Sequence, residues 1–385
     1  MLLSALAGST AAAVTLPGTL ELAFLTAGSL RPPRPKPSTR RPIGRLAVVI
    51  PAHDEEAGIA ACVASLKACA PPPGGVRLLV VADNCTDATA ARAREAGADV
   101  IERHEDDKRG KGYALELACA HVLEDPSVEV VLVVDADTRV RPNFLVAMHE
   151  AFALGADAAQ ARYVVSNPDV DRWRNVAFMA INVARPMGRE RWGLSVGILG
   201  NGFGLHRRVL EALPYMARSL VEDLEYHLML VRAGFTVRFV EETAVAADLP
   251  TTKAAEKTQR ARWEGGRLQV MRTVAPALAR ELVRRRDPRL LEPLGELLLL
   301  PLLTHAGLLG VTLLIPFPPT QIYAASALGV VAAHVASSLR VTGATAEDVR
   351  AVAQAPLHLL KKAALLPAIL QASRKNHAWV RTPRE

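Results

Sequence analysis

The sequence predicts an α/β fold, a mostly parallel sheet flanked by helices, combined with transmembrane helices. Between about residues 45 and 248, short β-branched runs alternate with alanine-rich helical patterns, which is typical of strands joined by crossover helices. Long apolar segments lie near both ends of the chain. Half of the 385 residues are hydrophobic, more than in a typical soluble enzyme, so membrane segments are expected.

The first apolar segment, residues 2–30, contains one charged residue, Glu21, and is long enough to cross a hydrocarbon core of ~30 Å as a helix. A basic, proline-rich stretch follows it at residues 31–41, and no Lys or Arg precedes it. This arrangement favours a retained anchor (1–30) over a cleaved signal peptide or an interfacial helix. It also places the following linker (31–44) and domain in the cytoplasm.

The predicted sheet region contains three clear buried strands, each followed by a polar cluster, with three helices between the strands. The strands are residues 46–50, 77–81 and 128–134, the clusters 53–56, 83–87 and 135–137, and the helices 59–68, 86–96 and 112–123. Ligands bind outside the carboxyl ends of the strands in open α/β sheets, so the three clusters predict one site. We expect the catalytic domain to cover residues 45–275.

The C-terminal third contains two apolar segments, 294–315 and 322–339, separated by a proline-rich turn at 316–321. They predict a membrane hairpin in a region 276–340, with basic residues on both outer sides that place those ends in the cytoplasm. Glu296 and His305 within the first segment leave buried core helices as the alternative. The last region, 341–385, is expected to hold an interfacial helix (355–370) and a cytoplasmic tail. The whole chain is therefore expected to be a multi-pass protein of the inner (cytoplasmic) membrane.

The amino-acid composition limits the classes of partner that the protein is expected to bind. The formal net charge is +7, but aromatic residues make up only 4%, which leaves few platforms for stacking nucleic-acid bases. Anionic lipid and a phosphorylated substrate explain the basic excess better, and no nucleic-acid partner is expected. The four cysteines show no CxxC spacing and are expected to be reduced core residues.

Asp135 and Asp137 follow a buried strand directly. Residues two apart in an extended chain point to the same side, so both carboxylates can meet one cation, or a cation and a ribose. A hard divalent ion, Mg²⁺ or Mn²⁺, would suit these oxygen ligands and can bridge the phosphates of a nucleotide diphosphate. A helix cap or a solvated turn is the alternative.

Other polar residues also have two interpretations. Asp83 at a strand end can accept a hydrogen bond from a base, or cap the next helix together with Asp87. Lys111 precedes a helix and can meet phosphate or uracil oxygens, or be plain surface. Glu222 and Asp223 begin a helix, where the helix dipole alone would favour them.

These motifs together resemble glycosyltransferase family 2, the inverting GT-A enzymes that include cellulose, chitin and hyaluronan synthases and ceramide glucosyltransferases. The resemblance covers roughly residues 46–263, and the closing residues 379–384 look like tails of bacterial members. It rests on the motifs at residues 49–56, 81–83, 110–112, 134–137, 200–204, 221–223 and 259–263.

The resemblance implies a role for each matching residue. Asp223 would be the general base, Asp83 would contact uracil, Lys111 would support the donor, and Asp135 and Asp137 would hold the metal and ribose. The donor site would further include Pro51, His53, Glu55 and the QxxRW residues Gln259, Arg262 and Trp263. The acceptor side would include Gly200, Asn201, Gly202, Glu222 and Trp263. Two positions depart from the family pattern, His53 where Tyr is frequent and Val221 where Thr is commoner.

The implied function is inverting transfer of a sugar from a nucleotide diphosphate donor, with UDP favoured, to a lipid-linked or saccharide acceptor, forming a β-linkage. A processive polysaccharide synthase of the same family is the alternative. From other classes, a nucleotidyltransferase or a dinucleotide oxidoreductase would need a glycine-rich loop after the first strand, which residues 51–56 do not provide. A non-catalytic membrane scaffold stays open, as do the sugar, the acceptor and any export partner.

Overall fold

The computed structural model describes residues 2–105, 107–217 and 219–354, and these form two compact units. The helical unit comprises Met1–Pro32, Asp171–Trp192 and Pro250–Glu385, and the sheet unit comprises Pro33–Val170 and Gly193–Leu249. The predicted interfacial helix at 355–370 and the tail at 379–384 lie outside the described residues.

Strands and helices alternate along the first half of the chain, and helices dominate the last third. The strands are β1 (Arg45–Ala52), β2 (Val76–Asp83), β3 (Asp99–Arg103), β4 (Val128–Val133), β5 (Arg139–Val140), β6 (Ala158–Val165), β7 (Phe203–His206) and β8 (Val237–Ala247). The helices are α1 (Leu2–Ser29), α2 (Ile59–Lys67), α3 (Thr89–Glu95), α4 (Lys111–Leu123), α5 (Phe144–Ala153), α6 (Arg172–Met179), α7 (Arg185–Trp192), α8 (Arg207–Ala212), α9 (Glu222–Arg232), α10 (Lys253–Arg285), α11 (Leu291–Leu298), α12 (Leu302–Leu313), α13 (Pro318–Thr342) and α14 (Ala346–Val352). A π-helical turn, Ala180–Ala184, joins α6 to α7.

The eight strands form one mixed sheet in the order β3-β2-β1-β4-β7-β6-β8-β5. The strands β3, β2, β1 and β4 are parallel, as is the β6–β8 pair, whereas β7 and β5 pair antiparallel with their neighbours. The three predicted strands and the three helices between them are confirmed, with boundaries shifted by up to three residues.

Helices cover both faces of the central strands, which explains their continuous apolar sequence. On β1, Leu46, Val48 and Ile50 point into the core cluster that α2, α3 and α5 complete. Ala47 and Val49 point the other way and are also fully buried, and α4 packs against β1 and β2. The four cysteines are free, and burial raises the pKa of Cys62 to about 12, as expected for unreactive core thiols.

The chain runs from β1 outward to β2 and β3, and then returns to β4 on the other side of β1. The order of the strands reverses at this point, and the carboxyl ends of β1 and β4 lie side by side there. A crevice at such a switch point is the usual ligand site in open α/β sheets.

Two helices of the helical unit, α1 and α13, are long and apolar enough to cross a membrane. The predicted anchor and the second arm of the predicted hairpin therefore both correspond to helices. Along one side of α1, hydroxyl groups meet polar groups of other helices: Thr19 lies 3.1 Å from His305 Nε2, and Thr26 lies 3.0 Å from His334 Nδ1.

The first arm of the predicted hairpin, residues 294–315, is not one straight helix. It is split into α11 and α12 by a bend of 74°. Pro301 at the break has no N–H to continue the helical hydrogen bonds. The guanidinium of Arg267 on α10 instead donates to the carbonyls of Glu296 and Leu299. Apolar length alone does not reveal this bend, and the membrane hairpin itself stays a prediction.

The division into units also differs from the expected catalytic domain at 45–275. Residues 171–192 and 250–275 within that range belong to the helical unit. Helix α7 packs closely on α1, since a Cβ on Gly28 would lie only 2.5 Å from the Gly188 carbonyl oxygen. Small residues at this crossing let the two backbones approach.

Candidate active site

The site is built at the carboxyl ends of the central strands, as the sequence predicts. His53 follows β1, Asp83 ends β2, and Asp135 and Asp137 follow β4. The loop between Trp192 and β7 and the start of α9 add Gly200, Glu222 and Asp223.

Asp135 and Asp137 are half-buried, whereas Ala136 and Thr138 are buried. This alternation puts both carboxylates on the open side of the strand end, as an extended backbone requires. The amide N–H of Asp135 donates to Asn201 Oδ1 at 3.1 Å, which fixes the backbone at this point.

Lys111 is the first residue of α4, and its ammonium connects three parts of the site. Its Nζ atom lies 2.5 Å from Asp135 Oδ1 and 4.0 Å from Glu222 Oε1, and donates to the Gly200 carbonyl. Burial opposes the charge of this ammonium, but Asp135 and Glu222 outweigh that effect and raise the pKa of Lys111. Lys111 is therefore a fixed positive charge among carboxylates.

Glu222 and Asp223 form the first turn of α9, where the helix dipole favours negative charge. A Cβ on Gly200 would lie 3.1 Å from Asp223 Oδ2, and Gly200 has a φ of +76°, so only glycine suits this close approach. Burial and the neighbouring Asp223 raise the pKa of Glu222, and burial raises the pKa of Asp223. Such shifts are common where a carboxylate must accept a proton near neutral pH.

A buried amide network holds this part of the site in place. Asn201 is fully buried, and its Nδ2 donates to Thr138 Oγ1 at 2.7 Å. Gln160 on β6 is also fully buried and donates to the Asn201 carbonyl at 2.8 Å. The sequence predicts Asn201 on the acceptor side, but its side chain contacts Asp135 and Thr138. Gln160 and Thr138 are missing from the sequence prediction because a lone Gln in a strand carries no motif.

At the end of β2, the Asp83 carboxylate is paired with Arg103 of β3, and both side chains are almost fully buried. His53 Nδ1 lies 2.7 Å from the Asp83 carbonyl oxygen. Asp83 does not cap the next helix, because Asp87 accepts from the Thr89 amide instead. Arg103 was not predicted, since an arginine at a strand end looks like a surface residue.

The remaining predicted residues are divided between the two units. Pro51 lies in β1 opposite Val81, and the Glu55 amide donates to Thr89 Oγ1 at 2.7 Å. Gly202, with a φ of +69°, precedes β7, and its amide donates to the Val133 carbonyl. The QxxRW residues lie on α10 of the helical unit at helical spacings of three and four, and Trp263 is exposed there; they are Gln259, Arg262 and Trp263.

Asp54, Cys85 and Asp87 form another group of acidic and thiol side chains, with ligand atoms within 4.8 Å of one another. Asp54 accepts from the Thr86 amide and Asp87 from the Glu56 amide, so both carboxylates organise the turns after β1 and β2. We therefore assign this group a structural role.

The donor set at the end of β4 suits a hard divalent cation. Carboxylate oxygens from Asp135 and Asp137 are the ligands that Mg²⁺ and Mn²⁺ prefer, and further carboxylates lie on Glu222 and Asp223. Lys111 is the one cation within 4 Å of Asp135 or Glu222 among the residues that the structure describes. Asp135 and Glu222 thus share one ammonium.

Comparisons with known proteins agree with this geometry. The family model described as "Glycosyltransferase like family 2" matches residues 43–266, more than half of the chain. The chain is 25% identical over 241 residues to the probable glycosyltransferase YdaM of Bacillus subtilis, covering 59% of this chain and 56% of that protein. It is 26% identical over 231 residues to a beta-monoglucosyldiacylglycerol synthase of Nostoc sp., covering 57% and 48% respectively. These matches span about half the length of the curated relatives.

Among solved structures, the mannosyltransferase PcManGT from Pyrobaculum calidifontis, in complex with GDP-Man and Mn²⁺, has a similar fold. The TM-score is 0.62 with 18% identity, and the match covers 96% of this chain and 99% of that chain. The family match argues against the nucleotidyltransferase and oxidoreductase interpretations. The chain therefore belongs to glycosyltransferase family 2 and has a GT-A fold.

Proposed function

We propose that this enzyme transfers a sugar from a nucleoside diphosphate donor, with UDP as the first choice, to a lipid-linked or saccharide acceptor at the cytoplasmic membrane face. The observation that carries the proposal is the convergence of Lys111, Asp135 and Glu222 beside Asp223 at the switch point of the sheet. Together these residues supply a cation for the phosphates, carboxylates for a metal ion and a carboxylate that can act as a base.

Asp223 is the proposed general base. Its Oδ1 accepts from the Leu224 amide at 2.8 Å, which fixes the carboxylate, and its raised pKa suits proton transfer near neutral pH. It would take the proton of an acceptor hydroxyl as that oxygen attacks the anomeric carbon from the face opposite the leaving diphosphate. A single displacement of this kind inverts the configuration and gives a β-linked product from an α-linked donor.

The other residues bind and orient the donor. Asp135 and Asp137 would hold a divalent metal ion, which when bound neutralises charge on the leaving diphosphate. Lys111 would face the same phosphates. The proposed donor role of Gln259, Arg262 and Trp263 rests on the family motif alone.

The proposed acceptor is a lipid. The two candidate membrane helices α1 and α13 would hold the enzyme at a bilayer. A relative is named beta-monoglucosyldiacylglycerol synthase, so a related chain is associated with a diacylglycerol lipid. The second candidate, a processive polysaccharide synthase, is supported by QxxRW together with membrane helices, but a polymer channel usually needs more crossings than this helical unit offers among its described residues.

A donor screen on the full-length protein in detergent tests the proposal. Nucleotide release from UDP- and GDP-sugars is measured with Mn²⁺ or Mg²⁺, with and without lipid extract. We expect release from one donor to depend on the lipid and to yield a single glycolipid. Glu211→Gln, at an exposed position on α8, is the matched control and should behave as the parent. Lipid-independent synthesis of a long polymer would favour the second candidate, and no release from any nucleotide sugar would contradict the function.

A further inference from the structure

One buried guanidinium, that of Arg103, lies at the end of β3 beside the Asp83 carboxylate. The side chain of Arg103 is 5% exposed and that of its partner Asp83 is 9% exposed. Nη1 of Arg103 donates to Asp83 Oδ1, and Nη2 donates to the Lys108 carbonyl at 2.7 Å. The guanidinium carbon also lies 5.6 Å from the centre of the Tyr113 ring on α4.

These contacts fix the loop that leads to Lys111. The Asn84 amide donates to the Arg103 carbonyl at 2.7 Å, and the Glu105 amide donates to Asn84 Oδ1 at 2.8 Å. The start of the loop is therefore attached to Asn84 after β2, and Lys108 further along is held by the Arg103 guanidinium. Arg103 thus connects a carboxylate at one strand end to the helix that begins with Lys111.

The ion pair also determines what Asp83 can offer a ligand. Oδ1 of Asp83 is taken by Arg103 and by Asn84 Nδ2, whereas Oδ2 accepts no hydrogen bond from the residues that the structure describes. Burial raises the pKa of Asp83, and the Arg103 guanidinium opposes that shift. The charge-assisted hydrogen bond from Arg103 is made to the ionised form of the carboxylate. An ionised carboxylate is only an acceptor.

This chemistry divides the nucleobases into two classes. Uracil and guanine each carry a ring N–H beside a carbonyl group, and that N–H can donate to Asp83 Oδ2. Cytosine and adenine carry an unprotonated ring nitrogen at the corresponding edge, which would face the carboxylate lone pairs. A protonated or amide side chain at residue 83 would remove this difference.

We propose that Arg103 is a positioning residue of the donor site, which holds Asp83 as the acceptor for the ring N–H of uracil or guanine and holds the loop before Lys111. This inference rests on the proposed function and adds to it a residue and a class of donor. Asp83 accepts the hydrogen bond from the base, and Arg103 acts by holding Asp83 in place without contacting the base.

Calorimetric titration of full-length protein with UDP, GDP, CDP and ADP in Mn²⁺ tests this role. We expect the parent to bind UDP or GDP at least tenfold more tightly than CDP and ADP. Arg103→Met should weaken binding of the preferred diphosphate by roughly 30-fold and reduce its affinity advantage over CDP and ADP to about threefold. The kcat of this variant at saturating donor should stay within about threefold of the parent value. The matched control is Arg94→Met, which removes an exposed pair with Glu102 and should bind as the parent.

The ratio of affinities separates a positioning role from a general loss of structure, because a loosened fold would weaken the binding of all four nucleotides alike. If Arg103→Met does not fold, Arg103→Lys is the variant that tests the inference. Lysine keeps the charge beside Asp83 but cannot also reach the Lys108 carbonyl. It should retain base preference while losing about tenfold in affinity.

Unchanged affinity and preference in Arg103→Lys, or a fall in kcat with an unchanged donor KM, would overturn the inference. A parent protein that binds no nucleoside diphosphate would overturn the proposed function itself, whereas a parent that binds UDP, CDP and ADP equally would overturn this inference alone.

Discussion

Each unit of the molecule contains a cluster of charged side chains, and the two clusters differ in how their carboxylates are paired with cations. The site cluster of the sheet unit is Lys111, Asp135, Asp137, Glu222 and Asp223. The helix cluster of the helical unit is Glu21, Arg189, Arg267, Glu292 and Glu296. Both lie at the junction of several elements, but in the site cluster the Asp223 carboxylate has no cation within 4 Å among the residues that the structure describes.

In the helix cluster every carboxylate meets a guanidinium. Arg189 donates to Glu292 and lies 3.2 Å from Glu296 and 3.6 Å from Glu21, and Arg267 lies 3.8 Å from Glu296. Since charges buried away from water are costly unless paired, this cluster joins α1, α7, α10 and α11.

In the site cluster the one ammonium, Lys111, contacts Asp135 and Glu222. Among the described residues no cation lies within 4 Å of the Asp223 carboxylate. This difference is consistent with a structural role for the helix cluster and supports the proposal that the site cluster takes a further cation and a proton. The predictions below test that distinction, beginning with the largest expected effect.

Asp223→Asn keeps the shape of the side chain but cannot accept a proton from the acceptor hydroxyl. We expect the transfer step to slow by something like 10²–10⁴-fold with donor affinity almost unchanged. Single-turnover kinetics and calorimetric donor titration on the same variant measure the two effects, with Glu211→Gln as control. Near-normal turnover would remove Asp223 from the mechanism and leave Glu222 as the next candidate.

Arg189→Met should leave the buried carboxylates of Glu21 and Glu292 without a guanidinium, while Glu296 keeps Arg267, and it should destabilise the helical unit by about 3–5 kcal/mol. Thermal unfolding in detergent measures the loss. Arg280→Met on α10, whose side chain is exposed, is the matched control. The double variant Arg189→Met/Glu292→Gln should recover part of the loss, because one unpaired charge is removed. A loss equal to that of the control would show that the helix cluster is not structural.

The raised pKa values of Glu222 and Asp223 predict a pH dependence of stability. A carboxyl group with a folded pKa above its unfolded pKa binds more protons in the folded state, so its stabilising contribution is lost as pH rises. We expect unfolding free energy, measured in EDTA, to fall by roughly 1–3 kcal/mol between about pH 5 and pH 8. Glu222→Gln should flatten this profile, and an equally steep profile in that variant would contradict the assignment.

Thr26→Val removes one neutral hydrogen bond to His334 between α1 and α13. We expect a loss of about 0.6–1.7 kcal/mol, well below that of Arg189→Met, because neutral hydrogen bonds between membrane helices contribute modestly. The same unfolding assay compares the two variants. A loss in Thr26→Val as large as in Arg189→Met would mean that charge balance is not what distinguishes the helix cluster.

The sequence predicts the sheet unit well because its signals are local. Alternation of strand and helix patterns, and a polar cluster after each strand, place Asp83, Asp135 and Asp137 at one edge. The start of α9 at Glu222 is also predicted, since acidic residues favour a first helical turn.

The features that were missed depend on contacts between distant parts of the chain. Arg267 reaches the break at residues 299–301 from more than thirty residues away. Arg103 pairs with Asp83 across neighbouring strands, and Gln160 supports Asn201 from another strand. Neither hydropathy nor motif spacing predicts such pairs of distant residues.

The proposed metal site at Asp135 and Asp137 is tested most directly by measuring Mn²⁺ binding to the full-length protein with electron paramagnetic resonance, in the presence of UDP. The account predicts one bound ion per chain in the parent and in Glu211→Gln, and loss of that ion in Asp137→Ala, whose fold should survive because the residue lies at a strand end. Undiminished Mn²⁺ binding in Asp137→Ala, or none in the parent, would contradict it.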